Sequence, residues 1–231
     1  MAVFNGEQYI EEQIISILDQ IFPGDELIIS DDGSTDRTQS IVESIDDDRI
    51  IYTLNKKVNG YTGNFENALT LARGDTIFLS DQDDVWHDGK VKLCLEALKE
   101  SDFVVSDAKV VDEKLQVIAP SYFILRATKF GFINSLMRCR YLGCCYAFNR
   151  CVLHRALPFP CNHKMLPHDL WLVLIAEFFF KVKYLPVQLI NYRRHGLNVS
   201  SGGEISVNSL SFKIKFRLYA LFNILKVICA R

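Results

Sequence analysis

The chain has 231 residues, of which 49% are hydrophobic and 23% charged, so it is long enough and apolar enough to bury one large core. Its formal net charge of -2 excludes the overall basic field that is typical of a nucleic-acid-binding protein, so no nucleic-acid partner is expected. Its seven cysteines form no C-x-x-C pair, which argues against a structural zinc site and a disulfide framework and favours reduced thiols in a cytoplasmic protein.

Alternating strands and helices are predicted in roughly the first hundred residues. The opening MAVFNG is typical of the end of a strand, which predicts a first strand that is cut short. Apolar residues at helical spacing predict a helix from about Gln8 to Gln20. Further strands are predicted at DELIIS, RIIYTLN, DTIFLS and DFVVSDA, with helices between them. This alternation predicts an α/β fold with a parallel sheet, in which ligands bind at the carboxyl ends of the strands.

The second half of the chain is less regular. YLGCCYAFN is typical of a strand, and DLWLVLIAEFF predicts a helix that is apolar nearly all round and therefore buried. KYLPVQLINYRRHG predicts a strand, and Pro186 near its start predicts that this strand lies at a sheet edge. We expect a main domain over residues 1–205 and a basic, apolar helical segment over residues 206–231.

Charge is distributed unevenly along the chain. From Phe178 to the C-terminus there are nine lysines and arginines but a single acid, Glu204, so the acids are concentrated in the earlier part. This asymmetry predicts a cation near the acidic part and an anion or an anionic surface near the basic part. The final SLSFKIKFRLYALFNILKVICAR is apolar and basic, but its longest uncharged run, Leu218 to Leu225, is too short to span a bilayer.

The segment SDDGSTD, residues 30–36, ends a predicted strand with the carboxylates of Asp31 and Asp32. The glycine that follows allows a close turn, and the hydroxyl residues can cap the next helix, whose first N–H groups would face a ligand. The same residues also fit an ordinary strand–turn–helix connection with a good N-cap, so this motif by itself leaves both interpretations open.

The segment SDQDD, residues 80–84, places Asp81, Asp83 and Asp84 directly after an apolar strand. Clustered carboxylates suit a hard cation, Mn²⁺ or Mg²⁺, that also binds substrate phosphates. An EF-hand loop is excluded, because the fifth position counted from Asp81 is Val85 and the sixth, where glycine is required, is Trp86. The alternative is a solvated acidic turn, although the preceding strand favours a place at the edge of the sheet.

Two later motifs carry further candidate groups. In LPHDLW, Asp169 precedes an apolar helix, where it can serve as the helix N-cap or as a general base that His168 adjusts. In NYRRHGLNVS, Arg193 and Arg194 suit a diphosphate, and His195 suits a metal ion or a phosphate. A basic surface loop is the alternative for this second motif.

In their order along the chain, these motifs resemble the large family of inverting glycosyltransferases known as family two, whose nucleotide-binding domain has the Rossmann-like GT-A fold. The resemblance covers roughly residues 1–200, through FNGEQYIEEQIISILDQ, DDGSTD, NFENALTLARGDTIFLSDQDDVW, GCCYAFNR, HD and YRRHGLNVS. It implies a mostly parallel sheet flanked by helices. It also implies the transfer of a sugar from a nucleotide donor in a single displacement.

The resemblance implies roles for the residues of the donor side. Ala2 and Phe4 would lie along the base and the ribose of the nucleotide. Asp32 would contact the base, with Asp31 supporting it. Asp81 would lie at the sugar and ribose side of the donor. These five residues would together bind the nucleotide sugar.

The resemblance also implies a metal ion and a catalytic base. Asp83 would hold the Mn²⁺ or Mg²⁺ that bridges the diphosphate, with Asp84 nearby and His195 as a second contact to the metal or the diphosphate. Asp169 would remove the proton from the acceptor hydroxyl. The motif is Asp-Gln-Asp-Asp rather than a plain Asp-x-Asp, which leaves open how its carboxylates share their roles.

The late loop is most similar to that of members that transfer rhamnose from a dTDP donor into surface polysaccharide, with UDP-linked hexoses as the other donor class. A lipid-linked saccharide acceptor implies a cytoplasmic protein, peripheral on the inner face of the plasma membrane, where Lys213, Lys215 and Arg217 could meet anionic headgroups. The alternation in FKIKFR leaves open a tail that packs on the domain instead. A non-catalytic sugar-nucleotide or carbohydrate-binding protein on the same fold is the alternative function, whereas a dinucleotide oxidoreductase lacks its G-x-G-x-x-G motif.

Overall fold

Strands and helices alternate along residues 1–196 and 209–229, the parts of the chain that this computed structural model describes. The strands are β1 (Ala2–Val3), β2 (Leu27–Asp31), β3 (Ile50–Leu54), β4 (Thr76–Phe78), β5 (Val85–Trp86), β6 (Phe103–Val111), β7 (Val117–Ala119), β8 (Tyr146–Asn149) and β9 (Val182–Arg193). The helices are α1 (Ile10–Leu18), α2 (Thr38–Ser44), α3 (Tyr61–Leu71), α4 (Lys90–Leu98), α5 (Tyr122–Leu125), α6 (Phe132–Arg138), α7 (Arg150–Ala156), α8 (His168–Phe179) and α9 (Leu210–Cys229).

The first sheet is parallel and buried. Its order is β1-β2-β3, with Ala2 opposite Ser30 and Leu27 opposite Ile50. Every residue of β2 is buried, because apolar side chains of α1 pack on this strand and α3 also contacts it. Two covered faces explain why the sequence of β2 is a continuous apolar run rather than an alternating one.

The second sheet is mixed, with the order β4-β8-β6-β9-β5 and β7 paired to β6. Because β8 is antiparallel to both β4 and β6, those two strands point the same way, and β9 is parallel to β6. A parallel bridge between Ala2 and Asp81 joins the two sheets. The predicted α/β fold is therefore confirmed. The reversed strands β5, β7 and β8 make the second sheet mixed.

The prediction that the strand containing Pro186 lies at a sheet edge is wrong, because β9 lies between β6 and β5. Two features accommodate the proline. The register with β6 shifts so that Leu185 is opposite Ser106 while Gln188 is opposite Asp107, which leaves Pro186 outside the paired positions. On the other side, β5 pairs only with the later residues Ile190 and Asn191 of β9. No ladder hydrogen bond from Pro186 is therefore required.

The two sheets meet beside residues 80–84, the acidic turn that follows β4. β1 has only two residues, and a crevice of about 610 Å³ lies between β2 and β4. Apolar side chains such as Ile28, Leu69 and Ile77 line it. Beyond this crevice, the bridge between Ala2 and Asp81 joins the first sheet to the acidic turn.

Helix α8 forms the centre of the larger core, as its all-round apolar sequence predicts. Residues Trp171 to Ala176 are all buried. The indole Nε1 of Trp171 donates a hydrogen bond of 2.8 Å to the carbonyl oxygen of Ala156, which fixes α8 to the end of α7. A helix held in this way presents its first turn, with His168 and Asp169, at a defined position.

The basic C-terminal segment is helical from Leu210 to Cys229, and Ala220 and Ile224 belong to the same core as α8. The expected boundary between residues 205 and 206 lies outside the described residues. Among the helices of residues 1–196 and 209–229, none is long and apolar enough to cross a membrane.

Candidate active site

The acidic turn, residues 80–84, follows β4 at its carboxyl end, and Gln82 fastens it to the residue after β1. The side-chain Nε2 of Gln82 donates to the carbonyl oxygen of Phe4 at 3.0 Å, and its Oε1 accepts from the N–H of Phe4 at 2.8 Å. The buried Gln13 holds the other side of the turn, donating to Ser80 Oγ at 2.7 Å and to the carbonyl oxygen of Asp81 at 3.1 Å. Sequence reasoning missed both glutamines. The only available signal for Gln82 was its place between two aspartates.

The turn brings the carboxylates of Asp81 and Asp84 together where water is largely excluded. One ligand atom each from Asp81, Asp84 and Cys144 lie within 4.8 Å of one another. Asp84 is fully buried; its Oδ1 accepts from the N–H of Arg193 at 3.1 Å, while its Oδ2 has no hydrogen-bond partner within residues 1–196 and 209–229. Desolvation and the neighbouring Asp83 raise the pKa of Asp84 well above its usual range, and the same two causes raise the pKa of Asp81 to about 7. A cation among these oxygens would be favoured by the same interactions.

Asp83 connects the acidic turn to the basic loop after β9. Its Oδ2 lies 2.8 Å from Nε2 of His195, and the exposed fractions of the two side chains are only 15% and 8%. The ring of Tyr9 lies 5.0 Å from the imidazole, centroid to centroid. The structure thus brings together Asp83 and His195, two residues from distant motifs for which the family resemblance implies contact with one metal ion or its diphosphate.

The side chain of Arg193 is buried beneath the acidic turn rather than open to the surface. Its Nε donates to the carbonyl oxygen of Asp83 at 2.8 Å, and its Nη1 donates to that of Glu113 at 2.9 Å. Its Nη2 forms a salt bridge of 2.5 Å with Glu12, and the guanidinium lies 4.6 Å from the ring centroid of Tyr9. These contacts fix the backbone of the turn. The neighbouring Arg194 is half-buried and donates its N–H to Val111.

On the nucleotide side, Asp31 is buried and shapes the turn after β2. Its Oδ1 accepts from the N–H groups of Gly33 and Ser34 at 2.9 and 2.7 Å, and from the hydroxyl of Ser34 at 2.8 Å. Its Oδ2 accepts from the hydroxyl of Tyr52 at 2.6 Å. Gly33 has a φ of +91°, a conformation that glycine adopts without strain. Asp31 therefore stabilises its own loop.

Asp32 lies nearer the surface and links β2 to the start of α3. Its Oδ1 accepts from Nδ2 of Asn55 at 2.7 Å, and its Oδ2 accepts from the N–H of Gly60 at 2.6 Å. Phe4, which follows β1, is 54% exposed. Asp32 and Phe4 thus lie at the carboxyl ends of adjacent strands, since the N–H of Asp32 donates to the carbonyl oxygen of Val3 at 2.9 Å.

Asp169 lies in the first turn of α8 and faces the 3₁₀ turn Gly143–Cys145. Its Oδ1 accepts from the N–H of Leu170 at 2.7 Å. A Cβ built on Gly143 would lie 3.0 Å from Cβ of Asp169, so a larger residue would push the two elements apart. The buried Lys90 donates from Nζ to the carbonyl oxygen of Cys144 at 3.3 Å and holds the same turn. The thiol of Cys144 in the same turn lies within 4.8 Å of ligand atoms of Asp81 and Asp84, so the turn Gly143–Cys145 lies between Asp169 and the acidic turn.

His168 is a buried, neutral ring. It stacks on Phe65 with 4.0 Å between ring centroids and an interplanar angle of 21°, and its Nδ1 has no hydrogen-bond partner among the described residues. Burial lowers its pKa to about 4. His168 therefore contributes packing beside Asp169 and carries no charge near neutral pH.

Replacing His168 by phenylalanine is expected to reduce the acid sensitivity of the fold. The pKa of His168 is lower in the folded state than in the unfolded state, so the unfolded state binds more protons between those two values, and stability is lost as the pH falls through this window. Between pH 7 and pH 5 the wild-type free energy of unfolding should fall by about 2 kcal/mol more than that of the variant. Urea unfolding at the two pH values measures this difference.

The exposed His154 of α7 supplies the matched control, since His154→Gln should keep the wild-type pH dependence. An equal loss of stability in His168→Phe and wild type would contradict the burial of a neutral imidazole.

Comparison with known proteins shows which family the chain belongs to. The family model described as glycosyl transferase family 2 matches residues 1–157. The dTDP-rhamnosyl transferase RfbG of Shigella flexneri is 28% identical over 239 residues, covering 96% of this chain and 78% of its own length. The UDP-Glc:α-D-GlcNAc-diphosphoundecaprenol β-1,3-glucosyltransferase WfgD of Escherichia coli is 27% identical over 182 residues, covering 77% of this chain and 68% of its own length.

Solved structures show the same fold. The crystal structure of S. aureus TarS 1-349 in complex with UDP-GlcNAc has a TM-score of 0.72 and 19% identity, over 96% of this chain and 65% of that one. The mannosyltransferase PcManGT from Pyrobaculum calidifontis, in complex with GDP-Man and Mn²⁺, has a TM-score of 0.58 and 21% identity, over 80% of this chain and 53% of that one. The chain thus spans about two thirds or less of these solved chains. The predicted GT-A fold class is confirmed.

Proposed function

The chain belongs to glycosyl transferase family 2, and on that basis we propose that it transfers one sugar from a nucleotide-sugar donor to a saccharide acceptor with inversion at the anomeric carbon. One observation carries this proposal above the others. The turn Gly143–Cys145 lies between the acidic turn and the start of α8: Cys144 has its thiol within 4.8 Å of ligand atoms of Asp81 and Asp84, and Gly143 faces Cβ of Asp169. A donor diphosphate held near the acidic turn would therefore place its sugar toward a carboxylate that can act as a base.

The donor nucleotide is proposed to lie across the ends of β1 and β2. Ala2 and Phe4 would contact the base and the ribose, and the exposed ring of Phe4 offers a surface for stacking. Asp32 would bind the base, with its carboxylate oriented by Asn55 and Gly60. Asp31 would support Asp32 by fixing the turn that follows it.

A divalent cation, Mn²⁺ or Mg²⁺, fits the acidic turn. The fit rests on Oδ2 of the buried Asp84, which has no hydrogen-bond partner among the described residues, and on the ligand atoms of Asp81 and Asp84, which lie within 4.8 Å of each other. We propose that Asp83, with His195 beside it, holds the metal together with carboxylate oxygens of Asp81 and Asp84. When bound, such a cation neutralises charge that develops on the departing nucleoside diphosphate. The thiol of Cys144 has a raised pKa, from its hydrogen bond to Cys145 and from burial, so it stays protonated and is a poor ligand.

The chemical step is proposed to be a single displacement. The carboxylate of Asp169 accepts the proton of the acceptor hydroxyl while the acceptor oxygen forms its bond to the anomeric carbon and the bond to the diphosphate oxygen breaks. The leaving electron pair remains on the nucleoside diphosphate. The N–H of Leu170 donates to Oδ1 of Asp169 and holds this side chain in place at the first turn of α8.

The two arginines at the end of β9, Arg193 and Arg194, are proposed to have different roles. Arg193 is a positioning residue, because its guanidinium contacts Glu12 and the backbone of Asp83 and Glu113. It would act on the donor through the acidic turn rather than through direct contact. Arg194 is more exposed and is the better candidate for a direct contact with the diphosphate.

The names of two relatives support more specific proposals about substrates. RfbG is a dTDP-rhamnosyl transferase, which supports dTDP-rhamnose as the donor. WfgD is named as acting on a sugar linked to diphosphoundecaprenol, which supports a lipid-linked saccharide as the acceptor. We propose surface polysaccharide as the product. We accordingly propose that the chain works in the cytoplasm as a peripheral protein at the inner face of the plasma membrane.

A thermal-shift panel tests the proposed function. In the presence of Mn²⁺, the matching donor among dTDP-, UDP- and GDP-sugars should raise the Tm by roughly 5–10 °C at a concentration about 100 times its Kd. The same donor with EDTA in place of Mn²⁺ is the control and should give a smaller shift. If no nucleotide sugar raises the Tm with metal present, the proposed function is wrong. Binding without any turnover would favour the non-catalytic sugar-nucleotide-binding alternative.

A further inference from the structure

Helix α9 has two apolar faces, and residues 1–196 and 209–229 cover only one of them. The inner face contributes Ala220 and Ile224 to the core around α8, with Phe216, Tyr219 and Val227 packed against that core. The hydroxyl of Tyr219 also accepts a hydrogen bond of 3.1 Å from the N–H of Asn162. These contacts fix the rotation of α9 about its axis, so the side chains opposite the inner face must point away from the domain.

The outer face of α9 is a stripe of exposed large hydrophobic side chains at helical spacing. It consists of Leu210, Ile214, Leu218, Leu221, Phe222, Leu225 and Ile228, whose exposed fractions range from 37% to 71%. Neighbouring α6 adds Ile133 and Met137, which are 68% and 55% exposed. Nη2 of Arg217 donates to the carbonyl oxygen of Met137 at 3.1 Å, so α6 lies directly beside α9. An apolar surface of this extent indicates a binding surface.

The charges beside the outer face of α9 are all of one sign. Lys213, Lys215, Arg217 and Lys226 are the charged residues of α9, and the helix contains no acid. On an ideal helix, Lys215 and Lys226 lie along one border of the outer face and Lys213 and Arg217 along the other. Such a helix, apolar on one face with cations at its borders, is complementary to the headgroup region of a bilayer that contains anionic lipids.

We propose that the outer face of α9, extended by Ile133 and Met137 of α6, is the surface with which this chain docks on an anionic membrane. The helix would lie in the plane of the interface with its leucines among the acyl chains and its lysines at the lipid phosphates. A second copy of the chain is the other occupant of suitable shape, but two such surfaces would bring like-charged borders together without an acid to compensate them.

The inference deepens the proposed function and rests on it, because it names the surface that would bring the active site to a lipid-linked acceptor. The segment that leads to α8 is tied to the inner face of α9 through Asn162 and Tyr219. Helix α6 contacts both α8 and α9. Docking through α6 and α9 would therefore hold the start of α8, with Asp169, at a fixed position relative to the bilayer.

Flotation of the full chain with lipid vesicles tests this inference. We expect the chain to bind vesicles of phosphatidylcholine that contain about a third phosphatidylglycerol, to bind pure phosphatidylcholine at least tenfold more weakly, and to be released as salt rises. The variant with Leu218→Glu and Leu225→Glu should lose at least tenfold in binding. Leu93→Glu is the matched control, because Leu93 is an exposed leucine on α4, with 44% of its surface accessible, and it should bind as the wild type does.

The charge variant with Lys215→Glu and Lys226→Glu tests the same surface independently, and it should also bind at least tenfold more weakly than wild type. The donor-induced rise in Tm should be unchanged in all these variants, which separates membrane docking from donor binding. The inference is overturned if wild type does not float with the anionic vesicles, or if both double variants float as wild type does. It is also overturned if the wild-type chain is a dimer and the variant with Leu218→Glu and Leu225→Glu is a monomer that still binds vesicles as the wild type does.

Discussion

The Asp169→Asn variant is expected to transfer sugar about 10²–10⁴ times more slowly than wild type while it binds the donor with unchanged affinity. Asparagine keeps the size of the side chain, and its carbonyl oxygen can still accept from the N–H of Leu170, so the start of α8 should remain in place. What it cannot do is accept the proton of the acceptor hydroxyl. The measurement is the release of nucleoside diphosphate in the presence of acceptor, compared with the donor-induced shift in Tm.

Glu11→Gln is the matched control for this substitution, because Glu11 is an exposed acid in the first turn of α1. Its rate of transfer should stay within about twofold of wild type. Loss of donor binding in Asp169→Asn would mean that Asp169 has a structural role at the N-terminus of α8. Transfer at the wild-type rate would assign the base to another residue.

The second large effect is expected in the acidic turn, where substitution should change metal-free and metal-bound stability in opposite directions. In Asp81→Asn, one of the crowded carboxylates is removed, so the Tm without metal should rise by about 2–4 °C, which corresponds to about 1 kcal/mol for a chain of this size. The additional rise in Tm produced by Mn²⁺ and donor should largely disappear, because the metal loses a ligand. Thermal unfolding with Mn²⁺ and with EDTA measures both effects.

Asp83→Asn should change the Tm without metal in the opposite direction from Asp81→Asn. This contrast distinguishes the roles of the two carboxylates. Asp83 contacts His195, and asparagine is a weaker acceptor than a carboxylate, so the substitution weakens this contact and should lower the Tm without metal. Asp75→Asn is the matched control, because Asp75 is an exposed acid just before β4, and it should leave the response to Mn²⁺ intact. An undiminished response in both Asp81→Asn and Asp83→Asn would remove the metal from this turn.

Much of the fold was predictable because its first half repeats one simple pattern. Each buried strand is a continuous apolar run followed by polar residues, so the sequence indicates that Asp31, Asp32 and the acidic turn lie at strand ends. The reversed strands were harder to predict. β5 has only two residues, and its pairing with β9 joins Val85 to Asn191, which no local pattern encodes.

The site was less predictable than the fold, because its supporting contacts join distant parts of the chain. An arginine at the end of a strand has the sequence signature of a surface loop, yet Arg193 is buried because Glu12 and Tyr9 of the first helical region reach it. The importance of Gly143 follows from its distance to Asp169 and not from its neighbours in sequence. Such contacts depend on tertiary geometry, which composition and periodicity do not specify.

The pair of hydrogen bonds between Gln82 and Phe4 has a consequence for the entropy of ligand binding. A loop that is disordered before binding loses conformational freedom when its ligand arrives, and that loss weakens the affinity. Here the side chain of Gln82, in the middle of the acidic turn, already pairs with the backbone of Phe4 after β1 through two hydrogen bonds, as a neighbouring strand would. The proposed base-binding and metal-binding halves of the donor site are therefore ordered as one unit without a ligand, and the binding free energy of each half should add to that of the other with little loss.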